Sequence, residues 1–285
     1  MKKIVYTLLF TILVITSYAQ QKGPRLIVRG DDMGYIHSGN EALIKCYKEG
    51  IETSIEVIVP SPWFREAVKL LKQNLGVDVG IHMALTSEWE NIKWRPLTDC
   101  PSLKDSNGYF YPMVFANKNY PGQAITENHW NLEDIEKEFR AQIERALKQI
   151  PGISHLSSHM NCTNMTEEVK ALTKRLAKEY KIPVDPDLDH VGSIGYDGPH
   201  KTSGEKIQSF LNMLNTLESG KTYVFVDHPG IDTKELRAVY HIGYEDVAID
   251  RQGVTDVFTS EKVKVLIKQK GIQLIGYRDL IQQKK

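Results

Sequence analysis

Leu26-Ile27-Val28-Arg29-Gly30-Asp31-Asp32-Met33-Gly34 sets a short apolar run directly against two carboxylates. The run reads as a buried strand, with the carboxylates at its mouth. Two like charges so placed raise one of their own pKa values unless a cation or partner stabilises both anions. A useful division gives one carboxylate to a metal and leaves the other to take a proton from a metal-bound water. The plainer alternative is an Asp-Asp turn capping the next helix, and spacing alone favours it. The rest of the chain shifts the balance.

Downstream, helix and strand patterns alternate. Ser38 to Glu49 reads as a helix stopped by Gly50. Thr53 to Val59, β-branched and closed by Pro60, reads as a strand. Ser61-Pro62 supplies a cap and a first-turn proline to a helix whose apolar face is Phe64, Ala67, Val68 and Leu71. Val77 to Ile81 is a third strand. Asn131 opens an amphipathic helix with Ile135, Phe139, Ile143 and Leu147 at every fourth position. Ile153 to Ser157 is a fourth strand, Thr166 caps a helix through Tyr180, and Ile182 to Val184 is a weak fifth strand. Gly204 to Leu217 reads as a helix and Thr222 to Val226 as a sixth strand. Ser260 to Lys270 is a helix and Ile272 to Ile275 a seventh strand.

Parallel strands need a crossover element, so this alternation predicts an α/β fold with a parallel sheet. At this size a TIM-barrel-like (β/α) barrel of about seven strands leads, with a doubly wound open sheet second. No Gly-rich turn follows the first strand, which weakens a nucleotide-binding reading. Thr86 to about Asn128 interrupts the rhythm with turn residues and aromatics, and so long a connection is usually functional.

Residues 1–19 read as a signal peptide. Lys2-Lys3 is the basic start, Ile4 to Ile15 a mostly apolar run too short for a comfortable membrane span, and Ser17-Tyr18-Ala19 a cleavage site. Export to a periplasm or beyond is expected, leaving residues 20–285 as a single domain with no transmembrane segment. The chain has 36 basic and 36 acidic residues; losing Lys2 and Lys3 leaves a net charge of −2, no footprint for nucleic acid. Cys46, Cys100 and Cys162 form no metal motif; they allow one disulfide of unspecified pairing or three buried thiols. The oligomeric state stays open, a homodimer included.

In a barrel, catalytic groups sit at the carboxyl ends of strands. Asp31 and Asp32 follow the first strand, and His82 ends the third. His155, Ser158 and His159 lie in or after the fourth, and Asp227-His228 ends the sixth. A lone histidine at a strand end is more often a hydrogen-bonded structural residue than a ligand. Four strand ends converging on one face are harder to attribute to chance, and Asp and His suit zinc and other catalytic divalent metals. His37, His129, His190, His200 and His241 read as surface or substrate-rim residues, and only His159 of the fourth-strand pair is placed on the metal.

These stretches, together with Gly80-Ile81-His82-Met83-Ala84-Leu85-Thr86-Ser87-Glu88, Ser154-His155-Leu156-Ser157-Ser158-His159-Met160 and Asp227-His228-Pro229-Gly230, resemble the YdjC/ChbG (HpnK-like) carbohydrate deacetylases, relatives of the polysaccharide deacetylases. Glu138 to Glu144, Asp250-Arg251 and Gly271 to Leu274 extend the likeness along nearly the whole mature chain. The resemblance implies a TIM-barrel-like fold and one divalent metal, Mg2+ or Zn2+, on Asp32, His82 and His159. It implies Asp31 as catalytic base, with His228 as acid or oxyanion stabiliser, and N-acetylated carbohydrate as substrate. Trp89, Trp94, Arg95 and Tyr109 are the candidate sugar contacts; packing of the long connection onto the barrel is the equal alternative for the aromatics. Ser157 stands where the family's commoner form has Asp, and Asn161 where it has a further His. Both departures bear on support of the metal and on its choice. Ile182 to Pro186 also lacks a basic residue often found there. Two other readings stay open: a metal hydrolase of esters or phosphoesters, and a secreted carbohydrate-binding protein without activity.

Overall fold

The computed structural model describes residues 23–184, 188 and 190–283. The expected signal peptide lies outside them. Seven strands pair in parallel: β1 (Arg25–Met33), β2 (Ser54–Val57), β3 (Asp78–Met83), β4 (Ile153–Ser158), β5 (Gly192–Ile194), β6 (Thr222–Asp227) and β7 (Gln273–Leu274). Their order is β4-β3-β2-β1-β6-β5, with β7 also on β1. Since β6 fills one edge of β1, β7 takes the start of the other edge, and β2 takes its end.

The sheet is strongly curled. β1 and β4 are three strand spacings apart, about 14 Å on a flat sheet. Yet Asp32 at the end of β1 comes within 3.2 Å of His159, just past β4. No ladder joins β4 to β5 among the described residues, so the expected barrel is an open half-barrel.

Helices α1 (His37–Glu49), α2 (Phe64–Gln73), α3 (Leu132–Gln149), α4 (Glu167–Glu179), α5 (Ser203–Thr216), α6 (Val247–Thr259) and α7 (Glu261–Gln269) complete the fold. Ile55 and Val57 of β2 with Val79, Ile81 and Met83 of β3 share one buried cluster with Phe64 and Leu71 of α2 and Phe139 and Ile143 of α3. Each such side chain contributes about 1.5–3 kcal/mol by burial. Leu147, expected on the apolar face of α3, is 40% exposed. Steps of four residues drift by about 40° each on a 3.6-residue helix, and Ala146 takes the buried place instead.

Successive strand residues point to opposite faces. The residues alternating with those apolar ones are Ser54 and Glu56 on β2, Asp78, Gly80 and His82 on β3, and His155 and Ser157 on β4. Register sets Glu56, Gly80 and His155 on one rung, and His82 beside Ser157 on another. The concave face is therefore polar and buried. Tyr277, after β7, closes its lower end with its ring 3.9 Å from that of His155.

Two expectations about local elements need correction, and one helix lies beyond them. The fifth strand is Gly192–Ile194, not Ile182 to Val184; the latter touches β4 through one bond, Val184 N to Ser154 O at 2.9 Å. Its Pro183 lacks the N–H a ladder needs. Helix α6 carries no clear sequence signal, because it is buried on several sides, through Val247, Arg251, Val254, Thr255 and Phe258, and shows no clean stripe. Ser61-Pro62 does not cap α2, which begins at Phe64; the Ser61 hydroxyl donates to Ile58 O within the preceding turn. Asn131 and Thr166 do cap their helices, accepting from Asp134 N and Val169 N. The three cysteines are unpaired and buried.

Candidate metal centre

In a regular strand Asp31 and Asp32 would point to opposite faces. Here three steps along β1, from Gly30 to Met33, match two along β2, from Ile55 to Val57. This extra residue is a bulge, and Asp32 sits within it at φ 70°. That left-handed conformation, which Asp tolerates better than most residues, turns both carboxylates toward the carboxyl end of the sheet. Neither one is the N-cap of α1; that place belongs to Ile36, whose side chain makes no capping bond.

His82 comes from β3. His159 follows β4 and is turned inward by two further left-handed residues, Met160 (φ 48°) and Asn161 (φ 62°). One ligand atom each from Asp32, His82 and His159 lie within 4.8 Å of one another, and all three residues are buried. Asp32 Oδ1 is 3.5 Å from His82 Nε2 and 3.2 Å from His159 Nδ1. Asp31 Oδ2 stands 3.6 Å from His82 Nε2. His228, at the end of β6, faces Asp32 Oδ2 with its Nε2 at 3.8 Å. The structure thus brings Asp31, Asp32, His82, His159 and His228 together.

Their neighbours set their charge states. Burial pushes the Asp32 carboxyl up, but His228, Arg251 and His159 outweigh it and hold it well below the usual range. Burial lowers His82 to about 4 despite Asp31 and Asp32, leaving a neutral imidazole. Burial also works against a proton on His159, but Glu88 and Asp32 prevail and raise it to about 10. His228 is raised as well, because Asp32 and Asp227 outweigh its burial.

Several participants carried no assignment in the sequence. Arg251, on α6, donates from Nη2 to Asp32 Oδ2 at 2.9 Å and lies over the rings of Tyr35 and Trp89 at 4.6 and 5.1 Å. Glu88 Oε2 lies 3.0 Å from His159 Nε2. Arg29 grips both oxygens of Asp31, at 2.6 and 2.7 Å. The signal for Arg29 was in view: a cation two residues before a carboxylate on one strand faces the same side.

A cavity of about 380 Å³ opens over these groups; Trp89, Met160, His241 and Tyr244 form its wall. His241, read as a surface or rim residue, stands on that wall against Trp89, ring centroids 5.5 Å apart. Trp94 is buried behind His159, ring centroids 6.3 Å apart. Arg95 lies over the Tyr109 ring at 4.6 Å. Neither those two nor Trp94 lines the cavity.

Residues 25–269 match the family model described as YdjC-like protein. A carbohydrate deacetylase of Clostridium beijerinckii is 30% identical over 267 residues, spanning 90% of this chain and 100% of that one. A chitooligosaccharide deacetylase of Proteus mirabilis is 27% identical over 272 residues, spanning 90% and 98%. A crystal structure of an Enterococcus faecalis protein named for cellobiose-phosphate cleavage superposes with a TM-score of 0.72 at 23% identity, over 90% of this chain and 99% of that one. That last likeness concerns the fold.

Proposed function

Because the chain belongs to the YdjC-like protein family, we propose that it is a metal-dependent carbohydrate deacetylase. It hydrolyses the N-acetyl group of amino-sugar oligosaccharides. The observation that carries this reading is the buried Asp32, His82 and His159 cluster, flanked by Asp31 and His228.

Asp32, His82 and His159 would hold a divalent cation, which when bound supplies Lewis acidity to an amide carbonyl and to water. The donor set fits that task, with the cation displacing the proton that Glu88 and Asp32 otherwise hold on His159. Asp32 Oδ1 is buried and accepts no hydrogen bond, although two imidazole nitrogens face it. Two imidazoles beside one carboxylate suit zinc better than magnesium. Asp31, oriented by both arms of Arg29, takes the proton from the attacking water. His228 enters as the imidazolium and hands its proton to the departing nitrogen, which must leave as a neutral amine. Trp89, His241 and Tyr244 wall the cavity above the centre, which leaves room for a sugar ring. Export to a periplasm or the exterior, resting on residues 1–19, is part of the proposal.

Protein stripped with a chelator and reloaded with zinc should release acetate from N-acetylated chitooligosaccharides. Zinc binding without acetate release across a broad panel of N-acetylated sugars would remove deacetylation. Unchanged zinc content in Asp32→Ala would remove the ligand assignment.

A further inference from the structure

The polar concave face carries a hydrogen-bonded line that ends at His82. Glu56 is fully buried. Its Oε1 meets His155 Nε2 at 2.7 Å and accepts from Ser54 Oγ at 3.1 Å. Its Oε2 accepts from Ser157 Oγ at 2.7 Å. Ser157 Oγ in turn lies 2.8 Å from His82 Nδ1. A hydroxyl has one proton. Ser157 directs it to Glu56, so a lone pair faces His82. His82 Nδ1 must then carry the ring hydrogen, and Nε2 presents its lone pair toward Asp32 and His159.

Gly80 makes this line possible. Glu56 is on β2 and its partners His155 and Ser157 are on β4, so the carboxylate has to cross β3. A Cβ at position 80 would stand 2.0 Å from Glu56 Oε2 and 2.4 Å from His155 Nε2. With glycine there, the carboxylate passes over the intervening strand. Arg29 Nε, 4.0 Å from Glu56 Oε1, and the Tyr277 ring on His155 flank the line, beside a cavity of about 320 Å³ that Arg29, His155, Ser157 and Tyr277 border.

A metal-bound histidine ordinarily donates its other N–H to a carboxylate or carbonyl, which fixes its tautomer and its aim. Position 157 here has a hydroxyl, which carries no charge of its own but can relay a hydrogen bond. We propose that Glu56, acting through Ser157, is the positioning residue for the metal ligand His82, so that a carboxylate on β2 supports a ligand on β3. This rests on the reading of Asp32, His82 and His159 as the metal site.

The test is zinc affinity, measured by competition with a chromophoric chelator, in wild type, Asp32→Ala, Glu56→Gln, Ser157→Ala, Ser157→Thr and the Glu56→Gln/Ser157→Ala pair. Melting of each protein without zinc checks folding. Wild type should bind zinc and Asp32→Ala should not; failure here sinks the metal site itself. Given that result, Glu56→Gln and Ser157→Ala should each weaken zinc by about 10–100-fold. Ser157→Thr, which keeps the hydroxyl, should stay near wild type. The double variant should bind no more weakly than the weaker single one, because the two act in series. Wild-type affinity in both single variants overturns the proposal, as do losses that simply multiply in the pair. If Glu56→Gln fails to fold, the contrast between Ser157→Ala and Ser157→Thr decides.

Discussion

The two flanks of this sheet are built differently. β2, β3 and β4 are buried almost throughout, with apolar side chains under α2 and α3 and a polar network on the concave face. β5, β6 and β7 are short or partly open; Gly192, Ser193 and Val226 are exposed, as are both residues of β7. Two of the three proposed ligands stand at the ends of the first flank, and the second contributes His228, half open to solvent. A metal ligand needs a rigid mount, whereas a proton donor that meets a varied substrate tolerates a looser one.

The sharpest test of this division is chemical. Asp31→Asn should keep zinc and lose about 10²–10⁴-fold in kcat, measured as acetate release; a variant that loses its zinc instead would make Asp31 a ligand and blur the split between the two carboxylates. Next comes packing. Ile55→Ala, on the covered flank, should cost about 2–5 kcal/mol in chemical denaturation. Gly80→Ala should cost about 1–3 kcal/mol, since the new methyl has no free space, and should weaken zinc binding with it.

Acidity probes the same flank. Burial pushes the Glu56 carboxyl up, but His155 and Arg29 outweigh it and hold it well below the usual range. A carboxyl lowered by folding stabilises the protein above its unfolded pKa of about 4.3, and this contribution fades as pH falls below that value. The gap in melting temperature between wild type and Glu56→Gln should therefore be widest near neutrality and shrink on acidification. The smallest effect belongs to the open flank: Val226→Ala should change stability by no more than about 0.5 kcal/mol. Equal costs for Ile55→Ala and Val226→Ala would erase the contrast.

The same division governed what could be read from the sequence. Strands such as Ile55-Glu56-Val57 and Val79-Gly80-Ile81 announce themselves by apolar residues at every second position, and Asp32, His82 and His159 by their places at strand ends. Gly192-Ser193-Ile194 offers one apolar residue, so Ile182-Pro183-Val184 looked more like a strand than the strand itself. Glu56 was legible as a strand residue but not as a partner of Ser157, because that contact needs the register across Gly80, which no single strand encodes. Arg251 was hidden with its helix: an element buried on several sides loses the periodic signal that marks an amphipathic one.

The position of β1 has a consequence in time. Arg25 in β1 pairs with Thr222 in β6, 197 residues later. At synthesis rates of ~5–20 residues per second, roughly 10–40 s separate the appearance of the two. Throughout that interval Leu26, Ile27 and Val28 present an unpaired apolar edge, the kind of surface on which strands mis-pair. β7 and Tyr277 arrive later still. The three proposed ligands exist once residue 159 is made, but His228 and Arg251, which face Asp32, follow only near the end of synthesis, so the surroundings of the centre are completed late.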